Sequence, residues 1–206
     1  MTRRQFATTG EVTACRAELL SRTPLTPVAL ASEPDPQLRL PGMYAWWVEE
    51  SGAKQLSAGL GHPISTGLIY SGQTGATKWP SGKSGNATLR ARLVSQHCNG
   101  RVGGSTFRLT LAAILAKQLD LETIGSRRMA SESESVLSSW IRDNLSVSYH
   151  GFGDRDALAS LEDHVLDDLD PPLNLAGRPP SPGRSTLKEL RSSFARRNTS
   201  PQTVEM

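Results

Sequence analysis

The stretch GMYAWWV, from Gly42 to Val48, most limits what this chain can fold into. It is short, crowded with aromatic side chains and bounded by a proline, which suits a buried strand and not a helix. Thr66 to Gly72 reads as a second strand, with Gly59, Gly61, His62 and Pro63 forming the turn between them, so the two should pair antiparallel. Ser146 to Tyr149 alternates as a third strand. Helices are expected over Glu11–Arg22, from Leu89 to about Asn99, from Ser105 to about Leu119, from about Glu132 to Asn144, and over Asp156–Leu169. The series Pro24, Pro27, Pro34, Pro36 and Pro41 cannot continue the first helix and reads as a linker, while Asp170-Pro171-Pro172 stops the last. Beyond Arg178, Leu187, Leu190 and Phe194 recur at helical spacing among Lys188, Arg191, Arg196 and Arg197.

This order of elements predicts an α+β fold with a small three-stranded antiparallel sheet flanked by helices and with helical extensions at both ends. It divides into a helical extension and proline-rich linker over 1–40, a central domain over 41–177, and a basic tail with a short helix over 178–206. At 206 residues, of which 37% are hydrophobic, the chain suits one compact unit with extensions. The net charge is only +3, yet the basic residues are mostly arginine, whose planar fork suits phosphate. Asp154 to Asp170 is acidic, whereas Arg90, Arg92, Arg101, Arg108 and the tail from Arg178 are basic, a balance that favours a nucleic-acid partner. Cys15 and Cys98 have no paired spacing and no histidine cluster beside them, which excludes a disulfide framework and a zinc knuckle. Met1 to Gly10 lacks an apolar core and no window is long enough to cross a bilayer, so a cytoplasmic location with no membrane partner is expected.

Plotted as a helix, Asp156–Leu169 puts Leu158, Val165, Leu166 and Leu169 on one stripe with Glu162 in its middle, and turns Asp163, Asp167 and Asp170 to solvent. A carboxylate on an apolar face needs a cation, a metal or strong donors, and a buried ion pair would serve as well as a metal. Asn174 follows the two prolines in an extended path back along the helix end. On the helix after Asn86, α-helical geometry sets Arg92 beside Gln96, and Arg90 and His97 on the other edge. Gly82-Lys83-Ser84 has the look of the end of a phosphate-binding Walker loop, but Thr77 stands where the first glycine should be and Trp79-Pro80 blocks the cradle. That excludes a nucleotide triphosphatase and leaves a loop, carrying Lys83, that approaches DNA.

Together these features resemble the GIY-YIG nuclease superfamily. Gly42-Met43-Tyr44 stands for the first triplet and Tyr70-Ser71-Gly72 for the second; Leu89-Arg90-Ala91-Arg92-Leu93 resembles the arginine helix, Leu161-Glu162 the metal-binding glutamate and Pro172-Leu173-Asn174 the closing asparagine. The resemblance covers about Pro41 to Gly177. It departs from the pattern in two places: Ser71 replaces an apolar residue, and the histidine four places after the arginine is Gln96, with His97 one place later. Either the helix end is adjusted so that His97 serves, or the role falls to Gln96 or to nothing. The resemblance implies hydrolysis of DNA phosphodiesters with one divalent ion, magnesium or manganese, held by Glu162. It also implies Arg92 on the phosphate, Tyr44 orienting or deprotonating water, Tyr70 holding phosphate or water, and Asn174 fixing Tyr44 or the substrate backbone. Arg90, Lys83, Arg101 and Arg108 are the expected further DNA contacts. The alternative is a DNA-binding module that has lost turnover, or a subunit whose C-terminal helix docks on a second copy or another protein.

Overall fold

The computed structural model describes residues 5–83 and 85–196, so Arg197 of the basic tail lies outside it. The N-terminal segment forms α1 (Thr9–Ser21), with a capping box between Thr8 and Glu11, and α2 (Pro27–Ser32). Pro27 opens α2 instead of ending a helix, because the first helical position has no intrahelical N–H to lose and Thr26 caps it. After a 3-10 turn at Pro36–Arg39 come β1 (Gly42–Val48), α3 (Glu50–Leu60) and β2 (Gly67–Thr74). A π-helix over Ala91–Cys98 leads to α4 (Thr106–Leu115), the small hairpin β3 (Thr123–Gly125) and β4 (Arg128–Met129), α5 (Ser131–Asn144), β5 (Leu145–Gly151), α6 (Leu158–Leu169) and α7 (Pro182–Arg196).

The main sheet is three-stranded and antiparallel in the order β2-β1-β5, flanked by helices, as the order of sequence elements implies. β1 is central and covered on both faces, which is why its sequence is apolar almost throughout instead of alternating. On one face Tyr44, Trp46 and Val48 pack with Leu93, Phe107 and the buried helix α4. On the other, Met43 and Ala45 pack with Cys15 and Leu19 of α1 and with Leu158, Leu161 and Val165 of α6. The N-terminal helix is therefore a layer of the core, and Ser148 of β5 donates to the Leu19 carbonyl at 2.7 Å. Leu25 in the proline-rich segment pairs with Val147 through both backbone bonds, at 2.9 and 2.8 Å, and so closes the outer edge of β5.

Between β1 and β2 the sequence suggests only a turn; the structure inserts α3. Its buried contacts are few, Ala53, Leu56 and Leu60 beside two glycines, so the apolar period is weak. Gly59 is there for space, since a Cβ would collide with the Ile114 carbonyl of α4. The hairpin over 123–129 also lacks a sequence signal. α7 lays Leu187 and Phe194 into the main core against the chain's own α4, so the apolar side of the C-terminal helix is used within the chain.

Gly42 faces Gly151 across the β1–β5 pair, and a Cβ there would overlap the His150 carbonyl oxygen, a backbone atom that no rotamer can move. Gly42→Ala should lower unfolding stability by about 3 kcal/mol or more. Gly10→Ala, in α1 with nothing near its Cβ, should raise it by a few tenths to about 1 kcal/mol. Urea midpoints of the two variants that coincide would refute this account of the first glycine.

Candidate active site

Tyr44 projects from β1 directly opposite Gly72 of β2. A Cβ at position 72 would stand 2.9 Å from the Tyr44 hydroxyl oxygen and 3.2 Å from Cζ, so the second triplet needs glycine to let the ring cross. The ring is 1% exposed, and its hydroxyl meets the Arg92 guanidinium. Burial raises the Tyr44 pKa and outweighs the lowering by Arg92, with Glu162 raising it further, so the phenolate expected from the resemblance is not favoured in the free protein. Burial alone would lower the pKa of Arg92; the facing Tyr44, Tyr70 and Glu162 reverse this, and the arginine stays charged. Its Nη1 donates to Gln96 Oε1 at 2.6 Å, while its buried Nε has no protein partner.

The helix carrying Arg92 resolves the choice between His97 and Gln96. Asn99 N–H bonds to Val94 O at 3.2 Å, an i to i+5 step, and the whole run Ala91–Cys98 is π-helical. The wider π turn swings His97 from the far edge of the helix towards the side of Arg92, while Gln96 stays within reach of it. Gln96 is exposed and grips Arg92; His97 is fully buried beneath Tyr44, edge to face with ring centroids 5.0 Å apart. His97 Nδ1 accepts from Trp46 Nε1 at 3.0 Å, which puts the ring proton on Nε2, an atom without a protein partner. Burial, then Arg92 and Arg108, hold its pKa well below the ordinary value, so it is neutral. It supports Tyr44 from behind and does not reach a surface phosphate.

Glu162 stands half-buried on α6, facing Gln73 of β2. The Gln73 carbonyl oxygen of the side chain accepts Ala76 N–H at 3.2 Å, which leaves the amide nitrogen for the carboxylate. Burial, then the Asp163 charge, push the Glu162 pKa up to about 7 against the lowering by Gln73 and Arg92. Asp163, expected on the solvated side, is exposed but lines the same cleft of about 740 Å³ as Glu162 and Tyr70. Tyr70 rests on Phe107 with centroids 5.1 Å apart, and burial, then Tyr44 and Glu162, raise its pKa. Lys188 and Arg191 of α7 form the far wall; the sequence analysis placed them in a tail and missed them.

Asn174 lines the cleft, but its side chain bonds β2 and not Tyr44. Its Oδ1 accepts Ser71 N–H at 3.0 Å and its Nδ2 donates to Ser71 O at 2.8 Å, the geometry of a neighbouring strand. The unusual Ser71 is equally accounted for: its hydroxyl donates to the Tyr44 carbonyl at 2.8 Å. Of the expected DNA contacts, Arg108 is a correction. It is fully buried, pairs with Glu134 at 2.7 Å and donates to the carbonyls of His97 and Cys98 at the π-helix end. The apolar helix face that carries it hid this role. Arg90 spends its guanidinium on the carbonyls of Ala31 and Glu33. Lys83 is exposed on the loop after β2, whose base Arg155 ties through Gly75 O and Ala87 O. Arg101 is exposed beside a second cavity.

The residues present fit a divalent cation. Glu162 offers hard oxygens with no ion pair among the described residues, at a cleft wall, with the Asp163 charge beside it. Among the described residues no group of three His, Cys, Asp or Glu gathers, but magnesium needs only one or two carboxylates because it keeps waters and takes phosphate oxygens.

The sequence matches the GIY-YIG catalytic domain over residues 42–193, a span that includes both triplets, the π-helix, Glu162 and most of α7. No curated protein and no solved structure matches the chain. The chain belongs to the GIY-YIG catalytic domain family. That family is one of nucleases that generally use divalent metal ions. No helix among the described residues is long and apolar enough to cross a membrane.

The Glu162 shift has a stability consequence. Its folded pKa of about 7 exceeds the ordinary 4.5, so the folded state holds a proton that the unfolded state has lost between those values. Stability from this group is present below pH 4.5 and is lost as pH rises through about 7. In EDTA, Glu162→Gln should therefore raise Tm over the parent at pH 8 and not at pH 4.5. Equal Tm differences at both pH values would show that the carboxylate is solvated.

Proposed function

We propose that this protein is a metal-dependent DNA endonuclease that hydrolyses phosphodiester bonds at the cleft that Tyr70 of β2 and Glu162 of α6 line together with α4 and α7, close to Arg92 of the π-helix. One observation supports the reading above the others: Tyr44 and Arg92 on one side of β2 and Glu162 on the other are close enough to perturb one another's ionisation. Three ionisable groups of opposing character around one strand suit a substrate that is itself charged. A divalent cation on Glu162, with waters of its own, would act as a Lewis acid on the phosphate.

The chain's own groups supply the rest. Arg92, charged and half-buried, has the two-pronged geometry that neutralises charge building on phosphoryl oxygens. Its contact with Gln96 and the edge-to-face contact of His97 with Tyr44 hold both donors before substrate arrives, which saves reorganisation in the transition state. Tyr44, protonated, orients the attacking water by hydrogen bonding. Tyr70 reaches the cleft and can hold a phosphate oxygen. Each of the two departures has a contact of its own: Ser71 donates to the Tyr44 carbonyl, and His97 accepts from Trp46 and lies against Tyr44. The apolar side of α7 is used within the chain.

Plasmid nicking against magnesium concentration tests the reading. Arg92→Ala and Glu162→Gln should each lower the rate at saturating DNA by roughly a hundredfold or more. Asp168→Asn, on the solvent side of α6 where Asp168 pairs with Arg16, should cut like the parent. A parent that does not nick DNA with any divalent ion, or a Glu162→Gln variant that cuts normally, would remove the proposal.

A further inference from the structure

Several arginines brace the fold through acids: Arg16 with Asp168, Arg22 with Asp35, Arg108 with Glu134, Arg178 with Asp167 and Arg184 with Asp170, while Arg90 and Arg155 brace it through backbone carbonyls. Among the described residues, no carboxylate pairs with Arg127, Arg128, Arg101, Arg142 or Arg191. These five line two cavities of about 740 Å³ each. The first is the catalytic cleft, with Arg191; the second lies between the π-helix end, the β3–β4 hairpin and α5, with Arg101, Arg128 and Arg142. Arg127 lines both.

Arg127 is at the hairpin tip with φ +53°, a left-handed backbone that is uncommon for a residue with a side chain. The hairpin thereby holds a guanidinium on the ridge between the cavities. Across the cleft stands Arg191, half-buried on α7, whose pKa is lowered first by burial and further by the Arg127 charge, although Tyr70 opposes this. Two cations held near each other without an acid are a repulsive arrangement that an anion would relieve. In the second cavity Glu134 is already satisfied by Arg108 and by Val102 N–H, so the field there is positive. Ser131, Ser135 and Ser139 add hydroxyl donors, and Ile124, 45% exposed, adds apolar surface.

We propose that Arg127 and Arg191 clamp one phosphate of the DNA strand being cut, and that this strand leaves the cleft over the hairpin into the serine-lined cavity, where Arg101, Arg128 and Arg142 receive its next phosphates. The proposal rests on the reading of the cleft as a DNA-cutting site. A single anion would fill one cavity; only a chain of phosphates answers to cations on both sides of a shared ridge. The apolar Ile124 then meets a base or sugar. The hairpin, which no element of the two triplets or the arginine helix predicts, becomes the part that determines how far along the strand the protein holds its substrate.

Binding of fluorescent DNA strands of increasing length by the full chain in EDTA, across a salt series, tests this. Arg127→Asn, which tolerates the left-handed backbone, and Arg191→Met, which keeps the half-buried stem, should each weaken binding about tenfold and reduce the salt slope by about one. At subsaturating DNA with magnesium both should cut more slowly than the parent, in proportion to the affinity lost. The Arg128→Ala, Arg142→Ala double variant should bind short strands like the parent and lose the affinity gained on lengthening. Lys54→Ala, on α3, should change nothing. A parent that binds and cuts DNA while the Arg127 and Arg191 variants match it in affinity and salt slope overturns the clamp alone. Loss of affinity in the double variant at all lengths equally overturns the strand path, and a parent that neither binds nor cuts overturns the clamp together with the function it rests on.

Discussion

Ser71 lies on the outer edge of β2, where its backbone N–H and carbonyl would otherwise face outward unpaired, and the Asn174 carboxamide takes both. The next bond in the same line runs from Leu173 N–H to Ile69 O at 3.0 Å. The segment after α6 thus imitates a fourth strand with one side chain, and the site depends on it. The contact fixes the end of α6 against β2, and with it Glu162 against Gln73. It also fixes the backbone at the second triplet, where Gly72 lets the Tyr44 ring pass. Arg184 of α7 secures the return from the other side, bonding Asp170 and the carbonyls of Pro171 and Asn174. Losing a carboxamide that serves two buried backbone groups leaves both unsatisfied, about 1–3 kcal/mol each.

Burial decides the chemistry around that edge. Tyr44 and His97 are inside, so both are held neutral: the phenol by desolvation that exceeds the pull of Arg92, the imidazole by desolvation and two nearby arginines. Neither is an acid or base in the free protein near neutral pH. Charge is left to Arg92, half-buried beside Tyr44, and to Glu162, which lines the cleft. A site built in this way is organised for electrostatic stabilisation more than for proton transfer by a side chain.

Much of this was legible. β1 declares itself through aromatic density, and its bounds match the sequence reading, because a strand buried on both faces has no use for polar residues. Glu162 was found by its place in the α6 stripe, since helix period and burial coincide there. The failures have physical causes. α3 lacks an apolar stripe because two of its contact positions are glycines chosen for closeness to neighbours. The one-place displacement of His97 left its role open between an adjusted helix end, Gln96 and neither; the backbone takes a π form there, which the spacing alone does not specify. Arg108 was counted as surface charge because arginine is rarely buried whole, yet Glu134 and three carbonyls, those of His97, Cys98 and Glu134, give it enough acceptors inside. Asn174 was recognised by family pattern, but its target was not, because an amide that replaces a strand can be identified only when the strand edge is seen.

The same limit explains why net charge said little. A chain at +3 can hold any distribution of paired and unpaired arginines, and composition does not separate them. Here Arg22, Arg108 and Arg184 tie elements together through an acid, whereas among the described residues no carboxylate pairs with Arg101, Arg127, Arg128, Arg142 or Arg191, and Arg142 donates to Ser139. Desolvating a paired guanidinium is offset locally, so it remains part of the fold. An unpaired one near another cation is destabilising until an anion comes. The second kind gathers on both sides of the hairpin, where an anion from outside the chain would relieve their mutual repulsion.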